Sequence, residues 1–174
     1  PRQALDAGIS VIHQELSIAN DLTVAENIYL GAEPRQKNGV FVDKKKMIAD
    51  AQAVLDFMKV NIKATDLARD LTAAQQQMAE IAKIIVKNSK VVIMDEPTSS
   101  LSEHEIAALF EQIRMLKEKN VAVIYISHRM KEIFEMCDRA TVLRDGCFVS
   151  TCMIKDVTEN RIVTSRVGRG VRDY

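Results

Sequence analysis

Val91-Val92-Ile93-Met94 is an unbroken apolar run that ends in two adjacent carboxylates, Asp95 and Glu96, followed by Pro97 and the hydroxyls of Thr98, Ser99 and Ser100. A run this short and uniformly apolar suits a strand of a parallel sheet covered by helices on both faces. Ligands of such sheets collect at the carboxyl ends of the strands. Asp95 there offers an oxygen to Mg2+, directly or through water, while Glu96 can orient or deprotonate a water attacking a phosphate. The other reading of the same residues is a strand that runs into a proline turn with solvated acids.

Two further strand patterns end in polar side chains. Ile9-Ser10-Val11-Ile12 leads into His13 and Gln14, and Val121-Ala122-Val123-Ile124-Tyr125-Ile126 leads through Ser127 into His128. The Gln14 amide oxygen suits a metal or its water, and His128 can donate a hydrogen bond to a phosphate oxygen or an attacking water. Singly, each is equally well a structural residue. A fourth piece is Leu71-Thr72-Ala73-Ala74-Gln75, which opens a segment with Met78, Ile81, Ala82 and Ile85 on one helical face. Thr72 with Gln75 three residues on has the pattern of a capping box. An exposed helix start binds anions, although a plain capped helix with a polar glutamine face has the same sequence.

With 174 residues, 47% of them hydrophobic and 28% charged, the chain can bury the core of one domain or of a domain with a lobe. The formal net charge of zero leaves no electrostatic footprint for nucleic acid. Lys44-Lys45-Lys46 therefore reads as the solvated start of a helix. No apolar run approaches the roughly 18 residues of a membrane span, and no signal-peptide pattern opens the chain. The expectation is a soluble chain that meets a membrane only through a partner. Cys137, Cys147 and Cys152 form an odd set without a CxxC pair, so reduced thiols are expected instead of a disulfide framework or a zinc site.

Residues 23–86 read as mainly helical. Thr23 with Glu26 marks one helix start and Gly31 its stop. A loop over 33–42 with a turn at Asn38-Gly39 precedes a helix headed by Asp43, with Met47, Ala51, Val54, Leu55 and Met58 inward. From Lys90 onward strands alternate with helices. Ser102 with Glu105 caps a helix carrying Ile106, Leu109, Phe110, Ile113 and Leu116, and a shorter helix after His128 turns Met130, Ile133, Phe134 and Cys137 inward. Thr141-Val142-Leu143 and Cys147-Phe148-Val149 read as a hairpin joined by Arg144-Asp145-Gly146, and residues 158–167 as a last helix. The expected fold is α/β, a mainly parallel sheet built from 1–22 and 87–174 with a helical subdomain over 23–86.

The order Gln14, Leu71-Thr72-Ala73-Ala74-Gln75, Asp95-Glu96, Ser99-Ser100-Leu101-Ser102, His128 resembles the Q-loop, signature, Walker B, D-loop and switch histidine of an ABC transporter ATPase, a P-loop NTPase. More narrowly, Val11-Ile12-His13-Gln14-Glu15-Leu16, Gln75-Gln76-Gln77-Met78-Ala79-Glu80-Ile81-Ala82-Lys83, Ile126-Ser127-His128-Arg129-Met130 and Val142-Leu143-Arg144-Asp145-Gly146 resemble the amino-terminal ATPase half of bacterial sugar importers of the ribose, galactoside and arabinose type. The likeness runs from Pro1 to about Gly168. Gln14 and Leu71 lie close in sequence with no sustained heptads between them, which separates the chain from ATPases that carry long coiled-coil insertions at that point.

The resemblance implies ATP and Mg2+ as cofactors, Asp95 with Gln14 on the metal, Glu96 as base and His128 as sensor of the γ-phosphate. It also places Leu71, Thr72, Ala73, Ala74 and Gln75, with Ser99, Ser100, Leu101 and Ser102, against nucleotide held by a second ATPase half. That half is implied on the same polypeptide, in a head-to-tail dimer. Membrane permease subunits are the implied partners, a sugar-binding protein an indirect one, and the inner face of the cell membrane the implied location. Gln14 would be the hinge between core and helical subdomain, and the loop from Glu15 to about Thr23 would lie near the membrane subunits. No Gly-x-x-x-x-Gly-Lys-Ser/Thr run occurs in the chain. The family's phosphate loop precedes the Q-loop strand, so the chain reads as a fragment, inactive by itself.

Two departures bear on activity. The usual signature is Leu-Ser-Gly-Gly-Gln, and Ala73 and Ala74 place methyl groups where backbone approaches phosphate closely; Ser102 stands where many relatives have Asp. Two classes stay open at this stage: a catalytic part of a sugar importer, or an ABC-fold module that only docks or regulates, with a non-transport ABC ATPase beside it. The joint presence of Glu96 and His128 favours the first.

Overall fold

A computed structural model describes residues 2–14, 17–36 and 39–167. The chain runs α1 (Arg2–Asp6), β1 (Ile9–Ile12), α2 (Val24–Ile28), α3 (Lys44–Phe57), a 3-10 turn (Ala68–Asp70), α4 (Ala73–Val86), β2 (Val91–Asp95), α5 (Glu103–Glu118), β3 (Ala122–Ile126), α6 (Met130–Met136), β4 (Arg139–Arg144), β5 (Cys147–Met153), a second 3-10 turn (Ile154–Asp156) and α7 (Glu159–Val167). It divides into two compact units, Pro1–Ile126 and Ser127–Tyr174.

In the first unit β1, β2 and β3 form a parallel sheet in that order, with Ile12 opposite Met94 and Met94 opposite Tyr125. Gly8 sets the entry to β1: it takes φ +83, Lys90 N donates to its carbonyl at 2.8 Å, and an added Cβ would lie 3.2 Å from Lys90 Cγ. Alternation then sends Ser10, Ile12, Val92 and Met94 to one face, where all are buried. Helix α5 packs against β3, and the Phe110 ring meets Tyr125 edge to face with centroids 6.4 Å apart.

The opposite face corrects the expectation of a strand covered on both sides. Val11, Ile124 and Ile126 are 43%, 51% and 46% exposed, and Val91 and Ile93 are only half-buried. The run is apolar throughout, but its second face is only partly covered among the described residues.

Helices α2, α3 and α4 pack on one another. Their buried contacts come from Val24, Ala25 and Ile28, from Met47, Ala51 and Leu55, and from Met78, Ile81 and Ala82. Val54, expected inward, is half-buried. Thr23 caps α2 with Glu26 in a full capping box, and Asp43 caps α3 by accepting from Lys46 N at 3.0 Å. Helix α2 ends at Ile28, before Gly31, because Tyr29 already takes the cap position. The expected turn at Asn38-Gly39 falls partly on Asn38, outside the described residues; Gly39 itself has φ +73. Lys44 lies 3.6 Å from Glu26 and Lys46 2.8 Å from Asp50, exposed pairs worth little. Helix α1 was not expected from the sequence.

The second unit has its core at Ala140, Val142 and Ile162, against which Met130, Ile133, Phe134, Val149 and Cys152 pack half-buried. Strands β4 and β5 pair antiparallel with a register shift between Val142 and Leu143. The hairpin turn is tighter than the three residues expected, because Arg144 still pairs with Cys147. Asp145 and Gly146 take φ +51 and +74, the left-handed pair that a two-residue turn matching strand twist requires. None of the three cysteines is in a disulfide among the described residues.

Candidate nucleotide site

Asp95 closes β2 opposite Ile126, and Glu96 leaves the strand in the left-handed region with φ +47. A non-glycine residue there is strained by about 1 kcal/mol or more and is held only where its surroundings impose it. Those surroundings are visible: Glu96 N donates to Ile126 O at 2.9 Å, Ser99 N donates to Glu96 O at 3.2 Å, and Pro97 and Thr98 are buried beneath the turn. Gln14 lies just past the end of β1 and is exposed. The parallel sheet thus brings Gln14, Asp95 and Glu96 to one carboxyl edge.

Ser99 and Ser100 are exposed, and Leu101 is half-buried with its N–H donating to Thr98 O at 3.2 Å. Ser102 starts α5. Its N–H and hydroxyl both donate to Glu105, at 2.8 and 2.7 Å. The Ser102 N–H, then its hydroxyl, hold the Glu105 carboxyl below the usual carboxylate range.

Residues Leu71 to Gln75 lie at the start of α4. Thr72 N donates to Gln75 Oε1 at 3.0 Å and Gln75 N to Thr72 Oγ1 at 3.3 Å, so the capping box forms and folds Gln75 back onto the helix start. Leu71 is half-buried at the end of the 3-10 turn, which Gln76 ties to α4 through Nε2 and Ala68 O at 2.9 Å. Thr72 and Ala73 are exposed, while Ala74 turns inward.

His128 belongs to the second compact unit. Its side chain is exposed, and its neighbours Ser127 and Arg129 are both tied to Glu132 of α6.

Three residues important to the architecture escape a reading of pattern. Asn27, 2% exposed, accepts from Ala19 N at 2.8 Å and donates to the carbonyls of Ala19 and Thr23 at 3.0 Å each. It therefore shapes the loop of residues 17–22 that follows Gln14; Glu15 and Leu16, where that loop begins, lie outside the described residues. A polar residue beside Ile28 on the buried face of the helix, where Val24 and Ala25 are apolar, was the available signal. Glu132 is the second.

The third is Glu80, 5% exposed on α4, whose Oε1 has no hydrogen-bond partner among the described residues. Burial pushes its carboxyl up from 4.5, opposed by the charges of Lys83, His13 and Lys87. The folded state thus holds this proton more tightly than the unfolded one. The resulting stabilisation is complete below about 4.5 and lost as pH rises through the folded value. Glu80→Met, which removes the buried acid at similar volume, is expected to raise stability by about 1 kcal/mol at pH 8 and by little at pH 4. Denaturant midpoints at the two pH values check this; an equal shift at both would show that Glu80 is not held protonated by burial.

Gln14 and Asp95 offer hard oxygen donors, and no cluster of three histidine, cysteine or acidic side chains suited to a metal occurs among the described residues. That donor set fits magnesium, which keeps waters and takes the rest of its ligands from phosphate.

A parallel sheet flanked by α5, together with the packed helices α2, α3 and α4, is the fold of an ATP-binding cassette. The chain belongs to the ABC transporter family, whose model matches residues 1–99. It is 47% identical over 173 residues to the ribose import ATP-binding protein RbsA of Yersinia pestis, covering 99% of this chain and 34% of that protein. It is 45% identical over 168 residues to the galactose/methyl galactoside import ATP-binding protein MglA of Mannheimia succiniciproducens, covering 97% and 33%. The chain therefore spans about a third of the length of these curated relatives. A nucleotide-free ATP-binding cassette from an ABC transporter matches the fold with a TM-score of 0.76 at 24% identity, over 95% of this chain and 70% of that one. No helix among the described residues is long and apolar enough to cross a membrane.

Proposed function

We propose that this chain is part of the ATP-binding subunit of a sugar importer, in which ATP binding and hydrolysis drive transport through membrane permease subunits. The observation that carries this reading is its likeness, along nearly its whole length, to relatives named as ribose and galactoside import proteins. Residues 23–86 act as the helical subdomain, and 1–22 with 87–174 as the nucleotide-binding core. Asp95 and Gln14 would hold Mg2+, which would supply charge neutralisation at the phosphate oxygens when bound. Glu96 takes the proton of the attacking water, and its anchored turn keeps the carboxylate in place without reorganisation. His128 donates to the γ-phosphate and reports its presence.

Gln14 would couple the core to the helical subdomain, because it stands at the carboxyl end of β1 just ahead of the loop that Asn27 braces. Leu71 to Gln75 and Ser99 to Ser102 face nucleotide on a second ATPase half of the same polypeptide. With the methyl group of the exposed Ala73 in the signature, the composite site they complete is the weaker of the two. The subunit sits on the inner face of the cell membrane through the permease, with a sugar-binding protein as an indirect partner.

The test is reconstitution of the full-length subunit with its permease and binding protein in vesicles. MgATP is expected to drive uptake of a pentose or hexose, and Gln14→Ala, which removes a proposed metal ligand as well as the coupling residue, to lower both hydrolysis and uptake, uptake by the larger factor. Hydrolysis without uptake of any sugar in the wild type would point instead to a non-transport ATPase.

A further inference from the structure

The segment that carries His128 is closed on itself by one carboxylate. Glu132 is 6% exposed on the first turn of α6. Ser127 Oγ donates to its Oε2 at 3.0 Å, and Arg129 Nη1 reaches its Oε1 at 3.2 Å. Arg129 N in turn donates to the Ser127 hydroxyl at 3.0 Å, and Glu132 N donates to Arg129 O at 3.1 Å. The residues on both sides of His128 are thus tied to one buried group and to each other, while the imidazole between them is exposed.

A simpler role for Glu132 is that of an acid in the first turn, favoured by the helix dipole. An exposed acid does that equally well, and burying a carboxylate costs several kcal/mol unless its oxygens are matched by donors. Here donors come from the two flanks of His128, and the α6 side chains packed on the core of the unit are Met130, Ile133 and Phe134. The arrangement is that of a clamp on the histidine's backbone.

We propose that Glu132 is a positioning residue for His128: it fixes the Ser127-His128-Arg129 backbone so that the imidazole is held ready for the γ-phosphate. This rests on the reading of His128 as the γ-phosphate sensor. Misplacement of a catalytic group by about 1 Å costs up to about a hundredfold in rate. Glu132→Ala, which removes both acceptors, is therefore expected to lower kcat for ATP hydrolysis by about thirtyfold. Glu132→Gln keeps an acceptor for Ser127 but loses the charge that pairs with Arg129, so a loss of about fivefold is expected. The KM for ATP is expected to change less than about twofold in both, because ground-state binding is not what the clamp serves.

The decisive measurement is a double-mutant cycle in the full-length subunit. In a His128→Ala background, either Glu132 substitution is expected to change kcat by less than about twofold. If the two losses multiply instead, Glu132 acts independently of His128 and the proposal is wrong. If His128→Ala alone leaves hydrolysis intact, the sensor reading of His128 fails, and the proposal falls with it. The milder Gln variant keeps the cycle readable should the Ala variant fold poorly.

Discussion

Glu96→Gln in the full-length subunit is expected to lower steady-state ATP hydrolysis by at least a hundredfold while leaving nucleotide affinity within about twofold, because the substitution removes the proton acceptor and nothing else. Glu96 is well placed for so clean a test. Its backbone lies at φ +47, and glutamine bears the same conformational cost there as glutamate. The hydrogen bonds that hold the turn, Glu96 N to Ile126 O and Ser99 N to Glu96 O, are made by main chain and survive the change. Side-chain volume stays nearly constant while basicity is lost. Turnover and equilibrium binding are measured on the same preparation; undiminished turnover would remove Glu96 from the role of base.

The second large effect concerns binding. We expect the 174-residue chain by itself to show no saturable binding of MgATP up to about 1 mM, equivalent to a standard free energy weaker than about −4 kcal/mol. The full-length polypeptide is expected to bind in the micromolar range. Backbone amides of a glycine-rich loop, its lysine and the helix behind them dominate triphosphate binding in proteins of this fold, and no such run occurs in the sequence. What the chain does offer, Gln14, Asp95 and Glu96 at one sheet edge, is proposed for metal and water and does not cradle three phosphates. Calorimetric titration of both proteins decides the matter. Micromolar binding by the shorter chain would require a phosphate site elsewhere in it.

Legibility in the sequence followed the range of the interaction. The capping boxes at Thr23 and Thr72 form as read, because cap and partner are three residues apart and need no other part of the chain. The parallel sheet was legible for a similar reason, since β1, β2 and β3 are short apolar runs separated by helical periodicity. The family resemblance added the order of motifs, and the comparisons support it along nearly the whole chain.

Burial was less legible than order. The run at Val91-Val92-Ile93-Met94 suggested cover on both faces, yet alternate residues are buried and half-buried, and Ile124 and Ile126 of the neighbouring strand stand exposed. Composition reports what a strand tolerates; the neighbours it finds are set by topology. The same limit applied to Val54, whose helical spacing placed it inward but whose bundle leaves it half-covered.

By itself the sequence determined where helices begin, which runs become strands and which polar residues end them, because these depend on local hydrogen bonds and on period. Only the tertiary structure decided how those residues are held. Glu96 is placed in a left-handed turn by a carbonyl on another strand, thirty positions away. Asn27 is buried so that it can brace a loop on the far side of its own helix start. Glu132 is withdrawn from water and matched to the flanks of His128. Each is a polar group whose energy depends on donors and acceptors brought to it by folding, and no pattern of residue types along the chain encodes that match.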